Sequence, residues 1–168
     1  GLEPRFFGRF NTYNVVSAAA VGKLFNISWT SIKKAIEGYT PKNNRSQIIK
    51  WNGNEIILDA YNANPTSMKA ALDSFSKLQQ GNKVAILGDM FELGEYAFEE
   101  HKDVVLYLKQ LSLKRVILVG EEFGKHKGLL ECHHFDNAKQ LKNWEGLKSL
   151  KNNFIFVKGS RGMELESL

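Results

Sequence analysis

Cysteine is all but missing from this chain. Cys132 stands alone among 168 residues, so no internal disulfide can form, and a reducing, cytoplasmic setting is expected. No apolar run approaches the roughly 20 residues that a membrane-spanning helix needs. The first residues lack the basic-then-apolar layout of a signal peptide, and Gly1 without an initiating Met reads as the start of a processed or excised chain. Nor is there a basic stripe interleaved with aromatics. The net charge of +5 arises from 23 basic and 18 acidic residues that are intermixed, as in KSLKNN and EEHKD. A solvated face accounts for that balance, small anionic ligands suit it as well, and no nucleic-acid partner or membrane insertion is expected.

Several chemical signatures are also absent. A phosphate-binding loop needs G-x-x-x-x-G-K-[ST], whose backbone N–H groups wrap the phosphates while the Lys neutralises them. The nearest approach, Gly120-Glu-Glu-Phe-Gly124-Lys125-His126, is one residue short and carries His in place of the hydroxyl. A dinucleotide fingerprint fails too, because no glycine follows the first strand of the alternating series. Cys132, His133 and His134 are adjacent, but no second pair at zinc-like spacing exists, so they read as ordinary strand residues and no metal ligands are expected.

What remains is a clear architecture. Residues 11–25 have a helical pattern with Val15, Ala18, Ala19 and the Val21/Leu24/Phe25 group near one face, capped by Asn11 or Thr12. A second helix from Ser28 to Glu37 is expected to bury Trp29, Ile32 and Ile36, with Gly38 and Pro41 ending it. After the polar PKNNRSQ boundary, QIIKW and EIILDA flank Asn52-Gly53-Asn54, a hairpin signal. Strands and helices then alternate: EIILD, a helix over 66–79, KVAILG, a helix over 97–111, RVILVG, a short helix over 121–127, CHHF, a helix over 137–144, and FIFVKG. Nearly continuous Val, Ile and Leu in the strands predict a mostly parallel sheet covered on both faces. The expected fold is α/β, a three-layer Rossmann-like domain preceded by two helices, divided into residues 1–41 and 42–168.

Ligands of such sheets bind beyond the carboxyl ends of the strands. Those ends carry Asp59-Ala-Tyr61-Asn62-Ala-Asn64, Gly88-Asp89-Met90, Gly120-Glu121 and Lys158-Gly-Ser160-Arg161-Gly. By themselves Asn62, Asn64 and Pro65 are adequate turn and helix-start residues. The Lys158–Gly162 turn suits a carboxylate or phosphate clamp, with Arg161 offering a bidentate fork, and equally suits a solvated basic turn. Asp89 and Glu92 fit a turn with a helix cap.

In order along the chain, GRFNTYNVVSAAAVGKLF, YNANPTSMKAAL after an Asp-ending strand, LGDMFELGEYAFEEH and VKGSRGMELE resemble the Mur ligases. The resemblance covers essentially the whole chain, with Phe10 where the family commonly has His. It implies the tail of a central ATPase domain over 1–41 and a C-terminal Rossmann-like ligase domain over 42–168. The P-loop then belongs to a missing domain, which would hold most of the ATP and Mg²⁺, and the fragment alone is expected to be inactive. The implied chemistry is ATP-dependent amide formation through an acyl phosphate in peptidoglycan precursor synthesis. NANP points to the branch whose partners are UDP-N-acetylmuramoyl-tripeptide and D-Ala-D-Ala, and a monomer is expected. By matched position, Asn11, Asn14, Arg45 and Asp59 are implied to hold the nucleotide. Tyr61, Asn62, Asn64 and Lys158 are implied at the reacting centre, and Ser160 and Arg161, with Asn64, at the dipeptide. His101 matches a family position with a structural role equally open. The alternatives are another Mur or folylpolyglutamate-type ligase and a non-catalytic Rossmann-like nucleotide-binding module.

Overall fold

The computed structural model describes residues 7, 8 and 11–168; Gly1 and Phe10, on which two expectations fell, lie outside the described residues. Six strands form one sheet. β1 (Gln47–Trp51) and β2 (Asn54–Asp59) make the antiparallel hairpin, and every other pairing is parallel. The hairpin turn puts Asn52 at φ 49° and Gly53 at φ 77°, the left-handed conformations that these two residue types accept most readily.

β3 (Lys83–Gly88), β4 (Arg115–Val119) and β5 (His133–Phe135) follow in order, and β6 (Phe154–Lys158) returns to insert between β2 and β3. The strands are apolar on both faces because both are covered. Ile57, Ala85, Leu87, Leu118, Phe154 and Phe156 pack under α3 (Pro65–Ser76), α4 (Ala97–Leu108) and α5 (Glu121–Gly124). Leu58, Val84, Ile86, Ile117, Val119, Ile155 and Val157 face α6 (Ala138–Asn143) and α7 (Glu145–Lys148). These are the three expected layers, with period-two alternation sorting residues between the two cores.

The boundaries differ in places. α3 ends at Ser76 and α4 at Leu108, each about one turn before the end its apolar spacing suggests, and Leu78 and Leu111 pack from the connecting loops instead. The 121–127 segment contains a helix only to Gly124, followed by a 3-10 turn at Lys127–Leu129, and α7 was not foreseen. Cys132 precedes β5 rather than lying in it.

α1 (Thr12–Leu24) and α2 (Trp29–Gly38) form their own small core of Val15, Ala19, Ile32 and Ile36. The wider apolar faces expected for them are not buried: Trp29 is 59% exposed, Leu24 78% and Phe25 72%. Ala18 and Val21 are exposed as well. Helical spacing puts Trp29 in line with Ile32 and Ile36, but α1 covers only the latter two. Trp29 instead lies beneath the Lys23 ammonium, 5.8 Å from its ring centre.

Candidate functional site

The parallel strands end together, so Asp59, Gly88, Val119 and Lys158 collect along one edge. Asp59 and Lys158 are direct partners in the β2–β6 register, which points their side chains to the same face. The Lys158 ammonium donates to Asp59 Oδ2 at 2.7 Å and to the Asn62 carbonyl at 3.0 Å. The other Asp59 oxygen accepts from the Ser46 N–H at 2.9 Å and the Ser46 hydroxyl at 3.3 Å. A buried ion pair thus ties two strand ends to the polar linker on one side and the Tyr61–Asn64 turn on the other.

α1 and α2 close over this edge and leave a cavity of about 770 Å³. Asn11, Asn14, Arg45, Ser46 and Asp59 supply its polar groups, and Val15, Ala18, Ile27, Ile32 and Ile36 contribute apolar wall. Asn14 donates to Asn11 Oδ1 at 2.8 Å, and Asn11 donates to the Phe7 carbonyl at 2.7 Å, so the two amides hold one another in place. Four residues separated by as many as 48 positions, all expected at a nucleotide, therefore line one hollow.

A second cavity of about 300 Å³ is lined by Asn43, Asn44, Tyr61, Arg161 and Glu166. The Arg45 guanidinium lies 3.8 Å from the Tyr61 ring centre, and that of Arg161 lies 5.6 Å from it. Tyr61 thus meets both a residue of the larger cavity and a residue of the smaller.

The remaining expected site residues sit differently. Asn64 caps α3: its Oδ1 accepts the Ser67 N–H at 2.8 Å, and the Ser67 hydroxyl accepts the Asn64 N–H at 3.2 Å, a reciprocal capping box. Asn62 is exposed, and its Oδ1 accepts the Ala63 N–H at 2.8 Å. Ser160 is buried, and its hydroxyl accepts the Phe91 N–H at 2.8 Å, so it fastens the 89–91 loop rather than opening to solvent.

Asp89, His101 and Gly120 form a buried support behind that loop. Both Asp89 oxygens accept backbone N–H groups at the start of α5, from Glu122 and Phe123, each at 2.9 Å. Gly120 has φ +116°, and a side-chain carbon there would collide with the Asp89 carboxylate, so no other residue fits. His101 Nε2 accepts the Met90 N–H at 2.9 Å and its Nδ1 donates to the Ala97 carbonyl at 2.7 Å, which defines a neutral ring. Burial pulls its pKa below 6.5, against the raising effects of the Ala97 carbonyl and of Asp89 and Glu122. Glu92 is exposed with φ 63°, at the rim of the same loop.

Among the described residues, no group of three or more His, Cys, Asp or Glu is arranged to hold a metal ion. His134 Nε2 instead meets the Gly120 carbonyl at 2.8 Å. No helix among the described residues is long and apolar enough to cross a membrane.

Ser46, Asn43, Asn44 and Glu166 escaped the sequence reading. Asn43, Asn44 and Ser46 have φ of 58°, 58° and 51°, conformations that the turn-prone PKNNRSQ composition hinted at without indicating a site. Glu166 carried no signal.

A family model described as "Mur ligase, glutamate ligase domain" matches residues 44–161. UDP-N-acetylmuramoyl-tripeptide–D-alanyl-D-alanine ligase of Bacillus subtilis (strain 168) is 34% identical over 181 residues, which take in 100% of this chain and 40% of the relative. The solved UDP-N-acetylmuramoylalanyl-D-glutamyl-2,6-diaminopimelate–D-alanyl-D-alanyl ligase of Acinetobacter baumannii superposes with a TM-score of 0.86 at 27% identity, over 99% of this chain and 37% of that one. MurF ligase of Thermotoga maritima, solved in complex with ADP, gives 0.78 at 18% identity over 96% of this chain and 37% of that one, which bears on the fold alone. The chain spans about two fifths of the length of the curated relative it matches.

Proposed function

The chain belongs to the Mur ligase family, and from that premise we propose that it is the C-terminal part of an ATP-dependent ligase joining D-Ala-D-Ala to UDP-N-acetylmuramoyl-tripeptide in peptidoglycan precursor synthesis. The observation that carries this is the pair of cavities meeting at Arg45 and Tyr61. Residues 1–41 are the tail of a central ATPase domain and residues 42–168 the ligase domain. The P-loop and most of the substrate site belong to domains outside this chain, so the chain alone is inactive. The working protein is a cytoplasmic monomer.

The larger cavity has the chemistry of a nucleoside site: an apolar wall for a base, the amides of Asn11 and Asn14 for its edge, and the Asp59 carboxylate to accept from ribose hydroxyls. Arg45 at its mouth suits a phosphate. ATP bound there supplies the phosphoryl group that makes the tripeptide carboxylate an electrophile. Mg²⁺, like the P-loop, belongs mainly to the central domain outside this chain.

In the smaller cavity Arg161 holds the dipeptide carboxylate, which leaves the amine directed at the acyl carbon. Tyr61 lines this cavity, and the amides of Asn62 and Asn64 on the same turn act on the incoming dipeptide. Lys158 neutralises Asp59 and holds the turn through the Asn62 carbonyl. Ser160 acts one layer back, fastening the 89–91 loop to the turn that carries Arg161.

The test is phosphate release by a full-length protein carrying this chain, given ATP, UDP-N-acetylmuramoyl-tripeptide and a panel of dipeptides. Release is expected to require D-Ala-D-Ala, and Arg161→Ala to raise the dipeptide KM more than the ATP KM. Release indifferent to the dipeptide, or a larger effect on ATP, would overturn the assignment.

A further inference from the structure

Building on the ligase reading, we infer that Tyr61 is a positioning residue whose ring couples occupancy of the nucleotide cavity to occupancy of the dipeptide cavity. Tyr61 is 38% exposed on a turn beyond β2, and two guanidiniums meet its ring, Arg45 at 3.8 Å and Arg161 at 5.6 Å. Arg45 lines the larger cavity, while Tyr61 and Arg161 line the smaller. A guanidinium stacks on an aromatic face through its flat, delocalised plane, and such a contact at an exposed site is weak enough to be rearranged by a ligand.

Phosphate groups at Arg45 fix that side chain by charge-assisted hydrogen bonds. An ordered Arg45 plane then holds the Tyr61 ring, and the ring sets the wall on which Arg161 rests. A dipeptide arriving second meets a cavity already ordered, so it forfeits less conformational entropy on binding. The nucleotide therefore tightens the dipeptide, and by linkage the dipeptide tightens the nucleotide equally. The phenol oxygen takes no part; the ring face does.

The experiment is calorimetric titration of D-Ala-D-Ala into the full-length protein, with and without a non-hydrolysable ATP analogue. Wild type, Tyr61→Phe, Tyr61→Ala and Arg45→Lys are compared, with far-UV circular dichroism confirming that each variant is folded. In wild type and Tyr61→Phe the analogue is expected to lower the dipeptide Kd about 5-fold or more. In Tyr61→Ala, and in Arg45→Lys, which keeps the charge and loses the plane, the ratio is expected to fall to within about 2-fold of unity. A folded Tyr61→Ala protein that keeps the wild-type ratio, or a Tyr61→Phe protein that loses it, overturns the coupling while leaving the ligase reading intact. A wild-type protein whose dipeptide Kd is unchanged by the analogue overturns the inference and leaves the ligase reading to the phosphate-release assay, where release indifferent to the dipeptide overturns both.

Discussion

Replacing Lys158 with methionine keeps most of the buried stem and removes the cation. The consequence follows from what Asp59 keeps. In the native chain the pair is 2.7 Å apart, with side chains 4% and 15% exposed for Lys158 and Asp59. Without the ammonium, the Asp59 carboxylate retains the Ser46 N–H at 2.9 Å and the Ser46 hydroxyl at 3.3 Å. Removing one partner of a buried pair typically costs about 3–5 kcal/mol because the other charge is left uncompensated. Two remaining donors and partial solvent access favour the lower end, about 3 kcal/mol. For a domain of this size that corresponds to a fall of roughly 6–12 °C in Tm. Thermal and urea unfolding at pH 7, followed by circular dichroism, measure it. The double variant Asp59→Asn/Lys158→Met removes both charges and is expected to recover more than half of the loss. A single variant within about 1 kcal/mol of wild type would refute the reasoning, as would a double variant whose loss equals the sum of the two singles.

Two further perturbations separate support from function. His101 is held neutral, and burial keeps its folded-state pKa below 6.5, so the unfolded chain takes up the proton first as pH falls. Its contribution to stability is complete above that value and declines below it, by up to about 1.4 kcal/mol per pH unit until the folded-state pKa is reached. Midpoints of urea unfolding between pH 4.5 and 7.5 are expected to show a shallower acid slope for His101→Gln than for wild type, and an unchanged slope would contradict the neutral assignment. Asn64→Ala removes the α3 cap and is expected to cost about 1 kcal/mol, whereas Asn64→Asp keeps the accepting oxygen and the stability. If Asn64 also faces the dipeptide, the aspartate variant will show a raised dipeptide KM in a fully stable protein; wild-type kinetics would leave it a cap alone.

Much of this architecture is local enough to read from the chain. The β1–β2 turn follows from Asn52-Gly53, and the capping of α3 from Asn64-Pro65 with Ser67 three residues on. Continuous apolar strands imply two covered faces, because an uncovered face would alternate with polar residues. Periodicity overreached where it had to know its neighbours: Trp29, Leu24 and Phe25 have helical spacing, yet what buries a face is the element opposite, and α1 and α2 offer each other only Val15, Ala19, Ile32 and Ile36.

The site divides along the same line. Residue types and their position at strand ends marked Asp59, Tyr61, Lys158 and Arg161, since a carboxylate or a guanidinium announces its chemistry wherever it stands. Only the tertiary structure decided their pairings. Inserting β6 between β2 and β3 makes Asp59 and Lys158 register partners across 99 residues, and the return of the linker puts Arg45 on the Tyr61 ring. It also turned Ser160 inward and gave Ser46 and Glu166 places at the cavities, because a side chain's role depends on the groups that distant strands and loops bring within about 3–4 Å of it.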